Sequence, residues 1–167
     1  MKVELIDKMG TDLSVVNAAR VSYAKGKEEF EESDERLIRY LAEHKHWSPF
    51  AHTFLSFRIK APVFVARQLV KHQVGLVWNE ESRRYITHDP EIYNIRKWRE
   101  KPDSSKQGSG EQILISTELN LEVNEHLQQG LSLYNRLLLE NVAPEQARAI
   151  LPQSMYTCLL YTSPSPR

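Results

Sequence analysis

RQLVKHQVGLVWNEESRRY, residues 67–85, packs cations, amides, a histidine and carboxylates around a short apolar framework. Read as a helix through His72, it places Arg67, Gln68, Lys71 and His72 within an arc of about 140°, with Ala66, Leu69, Val70 and Val74 opposite. Gly75 is a natural stop for that helix. Seven residues then supply Asn79, Glu80, Ser82, Arg83, Arg84 and Tyr85. Ser82 and the two arginines offer charge-assisted donors for a phosphate, and Asn79 and Glu80 suit the edge of a heterocycle. The plain alternative is a solvated helix face followed by two surface arginines, and the residues alone leave both open.

Working outward, PVFVARQLVKH opens at Pro62 as a helix, preceded by an alternating strand over 54–60. Lys2 to Asp7 also alternates and predicts a short strand. Residues 12–23 predict a helix capped by Asp12, with Val15, Val16 and Ala19 buried. Glu28, Glu29, Glu31, Glu32, Asp34 and Glu35 read as a solvated loop entering a helix over 33–45, where the macrodipole favours carboxylates. Leu37, Ile38 and Leu41 form that helix's apolar side. Pro49 opens a further short helix.

Beyond Tyr85, residues 87–112 are polar and turn-rich, including KPDSSKQGSG, and read as a surface excursion or mobile lid. A long helix over about 113–140 follows, with Leu119, Val123, Leu127, Leu131, Tyr134 and Leu138 on one face. Gly130 weakens it by about 1 kcal/mol relative to alanine. Pro144 opens a last short helix ending near Leu151 and Pro152. These elements predict an α+β fold in a single domain, a small antiparallel sheet packed with several helices.

Composition narrows the function classes. The 167 residues suffice for one domain with a sizeable core, and 41% hydrophobic with 26% charged residues is ordinary for a globular protein. Lys+Arg and Asp+Glu each total 22, so any anion site comes from local arrangement, not a global field. The lone Cys158 forms no internal disulfide, which suits a reducing cytoplasm. No apolar signal core or membrane span is present in the sequence. His44, His46 and His52 suggest zinc, but no cysteine or well-spaced carboxylate completes a ligand set, and no metal is expected.

The order Arg-Gln, Lys-His-Gln, then Asn-Glu-x-Ser-x-Arg-Tyr resembles the signature of the flavin-dependent thymidylate synthases, RHRxxSxNExSxRY. AARVSYAKG at 18–26, HKHWSPFAH at 44–52, FRIKAPVFVARQ at 57–68 and LPQSMYT at 151–157 are similar to that family in the same order, as are Ala147 and Arg148. The resemblance covers about 157 residues.

It implies reductive methylation of deoxyuridylate (dUMP) to dTMP. Methylenetetrahydrofolate is the one-carbon donor, and FAD reduced by NADPH supplies the hydride. By matched position, Ser22, His46, Ser48, Lys71, His72, Gln73, Asn79 and Glu80 fall on the cofactor. Gln68, Lys71, Glu80, Glu81, Ser82, Arg83 and Arg84 fall on the nucleotide. Arg84 takes the phosphate first, because a guanidinium grips two oxygens at once. Ser82 reads as a binding hydroxyl, since no activating relay accompanies it. The family shares its flavin site between subunits of a homotetramer; the expectation of a cytoplasmic protein rests on the composition and the lone cysteine.

Three departures accompany the likeness. Lys-His-Gln stands for Arg-His-Arg, losing two guanidinium forks and one charge. Eight residues, not seven, separate Gln73 from Ser82, which puts a one-residue insertion within 74–78. After residue 157 the family continues into helical sequence that supplies a flavin-contact segment and a late arginine, whereas this chain reads CLLYTSPSPR. That composition does not continue a buried helix. The expectation is therefore a family domain over 1–157, then an atypical, disordered or foreign tail over 158–167, with no catalytic residue assigned. A catalytically incompetent flavin- or nucleotide-binding fragment is the alternative. A nucleic-acid module built on Arg83, Arg84 and residues 96–101 is the distant third reading, disfavoured by the zero net charge.

Overall fold

The computed structural model describes residues 1–86, 88–102 and 108–164. Two groups of segments cohere internally. The first comprises Met1–Ala61, Val65–Glu80 and the chain from Cys158 on, and the second Pro62–Phe64 and Glu81–Thr157.

The first unit is built on strands β1 (Lys2–Met9), β2 (Phe54–Pro62), β3 (Val77–Glu80) and β6 (Tyr156–Pro164). They lie in the order β1-β2-β6-β3. β1 and β2 are antiparallel, with Lys2 opposite Lys60 and Met9 opposite Phe54. Ile6 is bulged out between Leu5 and Asp7. β3 pairs antiparallel with β6 from Val77 opposite Thr162 to Glu80 opposite Leu159. Ser56 Oγ and Thr162 Oγ1 lie 3.0 Å apart and tie β2 to β6.

The two predicted early strands are present, and β1 runs on to Met9. β6 is the larger difference. Residues 158–164, set apart in the sequence as an atypical tail, form a strand in the middle of the sheet order. The reason is a period of two: Thr157, Leu159 and Tyr161 are buried while Leu160 is exposed. The prolines that argue against a helix do not oppose a strand that ends at Pro164.

Helix α1 (Asp12–Arg20) buries Val15 and Val16 as its spacing predicts, with Ala19 only half-buried. Its cap is Thr11, not Asp12, and the Thr11 amide donates to Ser14 Oγ at 3.0 Å. Gly10 makes the preceding turn at φ 83°, where a Cβ would lie 2.8 Å from Thr53 Cγ2. A single 3-10 turn, Val21–Tyr23, follows α1. Helix α2 (Glu32–Glu43) buries Leu41, and Pro49 is buried within the 3-10 segment Ser48–His52.

The acidic stretch before α2 is not uniformly solvated. Asp34 has no solvent exposure. Its carboxylate accepts from Arg20 Nη2 at 2.8 Å, Lys27 Nζ at 2.8 Å and the Glu31 amide at 3.0 Å. Asn17 adds a pair of bonds with the Lys27 backbone. Loop 21–31 is thus pinned at Lys27, on a carboxylate whose desolvation is offset by two cations and an N–H.

Helix α3 (Val63–Leu69) is shorter than its pattern predicts. Val70 N–H still reaches the Ala66 carbonyl, but His72 N–H bonds Leu69 and tightens the end of the helix. Gln73 and Leu76 then close a turn in which Gly75 adopts φ 70°, and the chain leaves as β3. Pairing with β6 wins over continued helix.

In the second unit, helix α4 (Thr117–Leu139) begins four residues later than expected. Ser116 caps it, accepting from Leu119 N–H at 3.1 Å. Ile113 belongs instead to β5 (Gln112–Ile113), which pairs with β4 (Trp98–Arg99). The polar excursion therefore carries a two-stranded sheet, and Ile92 bridges to Met155. The lid reading falls partly on residues 87 and 103–107, outside the described residues. On α4 only Tyr134 of the predicted apolar face is fully buried, and Leu119 remains 47% exposed. Helix α5 (Pro144–Ala147) and the 3-10 turn Arg148–Ile150 complete this unit.

Candidate functional site

In the first unit the candidate side chains come from three stretches. Ser22 sits on the exposed turn after α1, and His46 and Ser48 bracket the start of the segment containing Pro49. Gln68 to Glu80 runs from the last turn of α3 through the loop into β3. Ser22, His46, Ser48, Gln68, Lys71, His72, Gln73, Asn79 and Glu80 are all exposed. The helical strip inferred from sequence is not kept. Because α3 stops at Leu69, Lys71 lies in a turn and His72 and Gln73 in the loop.

This loop is held from beneath by a residue that sequence reasoning missed. The Tyr161 hydroxyl donates to the His72 carbonyl at 3.4 Å, a long bond. Tyr161 is buried on β6, and burial raises its pKa, keeping the phenol a neutral donor. The signal was legible in principle as alternation through Thr157, Leu159 and Tyr161. Asn79, on β3, lies opposite Leu160.

The histidine cluster has another explanation than zinc. His44 stacks on Tyr40 with ring centres 4.0 Å apart, and its Nδ1 lies 3.0 Å from the Tyr40 carbonyl. His46 lies farther along the same stack, 6.3 Å from Tyr40. Among the described residues no three His, Cys, Asp or Glu side chains are grouped to hold a metal.

In the second unit, Glu81 to Tyr85 form a tight turn, closed by Tyr85 N–H on the Ser82 carbonyl at 2.9 Å. The adjacent arginines part company there. Arg84 is exposed, with Nε 3.3 Å from Ser82 Oγ and its guanidinium 5.1 Å from the centre of the Tyr85 ring. Arg83 is 5% exposed, and its Nη1 donates to the His88 carbonyl at 2.5 Å. Ser82 and Arg84 thus present a hydroxyl and a guanidinium side by side, a pair suited to oxyanion oxygens. Elsewhere in this unit a cavity of about 400 Å³, lined by Asn94, Arg96, Trp98, Gln112, Thr117 and Asn120 among others, contains none of these residues.

A dinucleotide cofactor offers pyrophosphate oxygens and polar ring edges. The exposed run Lys71, His72 and Gln73 supplies an ammonium, an imidazole and an amide, and Asn79 a second amide, so the donor chemistry present fits such a group.

Comparison with known proteins gives these positions a setting. The family model described as thymidylate synthase complementing protein matches residues 4–163, including most of β6. A flavin-dependent thymidylate synthase of Kosmotoga olearia is 42% identical over 164 residues, covering 96% of this chain and 70% of that relative. One from Thermus thermophilus is 41% identical over 155 residues, and the match covers 93% of this chain but 56% of that relative. Among solved structures, the UMP/dUMP methylase PolB from Streptomyces cacaoi, bound with 5-Br dUMP, matches with a TM-score of 0.76 at 34% identity. That match covers 97% of this chain and 72% of the methylase. With the family model spanning nearly its whole length, this chain belongs to the thymidylate synthase complementing protein family.

Proposed function

We propose that this chain carries the reductive methylation of dUMP to dTMP, with FAD as the flavin and with NADPH and methylenetetrahydrofolate as co-substrates. What supports the reading most directly is the Ser82–Arg84 pair, which stands within the Asn-Glu-x-Ser-x-Arg-Tyr stretch of a family-matched chain. When bound, reduced FAD supplies the hydride that completes the methyl group.

The residues of the chain then bind and orient. Lys71, His72, Gln73, Asn79 and Glu80, with Ser22, His46 and Ser48, are assigned to the flavin. Lys71 contributes a point charge without bidentate geometry. Arg84 and Ser82 take the phosphate of dUMP, and Gln68, Lys71, Glu80 and Glu81 are the further nucleotide contacts. Holding uracil beside flavin lowers the entropic part of the barrier. Self-association to a homotetramer belongs to this reading, and exposed Val3, Leu5 and Met9 on β1 supply apolar surface for it. So does a cytoplasmic location; among the described residues no helix is long and apolar enough to cross a membrane.

A second reading is favoured by one observation, the neutral Gln73 where the family carries arginine. It makes the chain a flavin- or nucleotide-binding protein without turnover. Titration with FAD, followed by dUMP and then a turnover assay with NADPH and methylenetetrahydrofolate, separates the two. Saturable FAD binding, a further flavin spectral change on dUMP, and dTMP formation support the enzyme. Binding without dTMP supports the second reading, and no FAD binding overturns both flavin assignments.

A further inference from the structure

Among the described residues of the second unit Arg83 is the best-buried cation, and its environment does not account for its charge. A guanidinium stays protonated at any ordinary pH, so burial cannot neutralise it. Its described hydrogen bond is from Nη1 to the His88 carbonyl, while its buried Nε–H has no partner. No carboxylate is ion-paired with it among the described residues. A buried charge with only a carbonyl partner is costly to fold around. What it does hold is geometry. Its bond to His88 spans five residues and closes the chain beyond the Ser82–Tyr85 turn. On the outer side of that turn, Arg84 lies against Ser82 Oγ and the Tyr85 ring.

We propose that Arg83 is a positioning residue for the anion site formed by Ser82 and Arg84, fixing the turn through His88 and adding an un-neutralised positive charge behind it. The inference deepens the proposed function, on which it rests, by assigning recognition of the nucleotide's phosphate monoester to an inward and an outward arginine acting together. A charge without an internal counter-ion extends its field to neighbouring groups instead of cancelling locally. The inward arginine therefore strengthens phosphate binding without touching phosphate.

The test is a binding cycle on the full chain with dUMP and deoxyuridine, which differ by the phosphate. The ratio of their dissociation constants isolates the phosphate's contribution. Arg83→Met should shrink that ratio about ten-fold, with deoxyuridine binding little changed, because the lost charge no longer acts on the phosphate at short range and the turn that presents Ser82 and Arg84 is no longer fixed. Combined with Arg84→Met, the loss should fall well short of the product of the single effects, as expected for residues acting through one site. Arg83→Lys, which keeps charge but not the fork, should retain part of the ratio and covers the case in which the methionine variant does not fold. Equal loss of dUMP and deoxyuridine affinity, or strict additivity with Arg84→Met, would reduce Arg83 to a structural staple and overturn the proposal. If Arg84→Met weakens dUMP and Arg83 variants do not, only this inference fails. If the unaltered chain binds no dUMP, the proposed function fails and takes this inference with it.

Discussion

Arg20 and Asp34, fourteen residues apart, meet at 2.8 Å with the carboxylate fully buried. Lys27 completes the arrangement from the loop between them, reaching Asp34 and Glu31 at 2.8 Å each. The hydrogen bond from Lys27 is the main influence holding the Asp34 pKa below its ordinary value, followed by the Glu31 amide. Lys27 is raised in turn by the same carboxylates.

The sign of the pH dependence follows. A lowered carboxyl pKa contributes stability that is fully present above the unfolded value, about 3.9, and is lost as pH falls through the folded value below it. Asp34→Asn should lower the unfolding midpoint at pH 7 by several degrees and flatten its dependence on pH in that acidic window. Thermal unfolding of both proteins from pH 2 to pH 7 measures this. An unchanged acid limb in the variant would show that Asp34 does not govern it.

Leu159 is 1% exposed and its neighbour Leu160 is 47% exposed. Leu159→Ala should cost about 2–5 kcal/mol, and Leu160→Ala within about 1 kcal/mol. Urea denaturation of the two variants checks the facing of β6, and reversed costs would mean the strand's register is wrong by one residue.

Gly10→Ala is expected to destabilise by about 1–3 kcal/mol, because the backbone there is left-handed and the new methyl would press on Thr53. Gly26→Ala is the control, since its Cβ meets nothing within 4 Å. Parallel melting curves suffice, and equal stability of the two variants would contradict the turn geometry.

Restoring the guanidinium forks tests the flavin assignment by gain instead of loss. The double variant Lys71→Arg, Gln73→Arg should bind FAD about ten-fold more tightly, as one or two added charge-assisted bonds would give. Fluorescence titration reads the affinity directly. An unchanged constant would remove this loop from the flavin site.

Legibility in the sequence varied with the range of the forces involved. Val15 and Val16, Leu41 and Tyr134 were readable because periodicity reports which face is buried, whereas the alternation over 54–60 foretold a strand but not its facing, since Phe54 is exposed and Ser56 and Lys60 are as half-buried as Phe57 and Ile59. The Asn-Glu-x-Ser-x-Arg-Tyr stretch was readable as chemistry. What escaped reading was decided at long range. Asp34 looks like its acidic neighbours until Arg20 and Lys27 converge on it. Lys71 and His72 fit a helical face, but β3 pairing ends α3 first. The division of labour between Arg83 and Arg84 follows from a turn and one carbonyl, which composition does not encode. CLLYT was masked by the prolines and serines after it, although its own β-branched and aromatic residues suit a strand.

The place of β6 also sets a timetable. Ser56 and Thr162, bonded across the sheet, are 106 residues apart in the chain. As the polypeptide emerges from the ribosome, β2 and β3 must wait with open backbone edges for the strand that lies between them in the sheet order. The sheet therefore closes only once residue 162 has been made, and the interval before closure is when a chaperone, or another nascent copy, has its opportunity to bind.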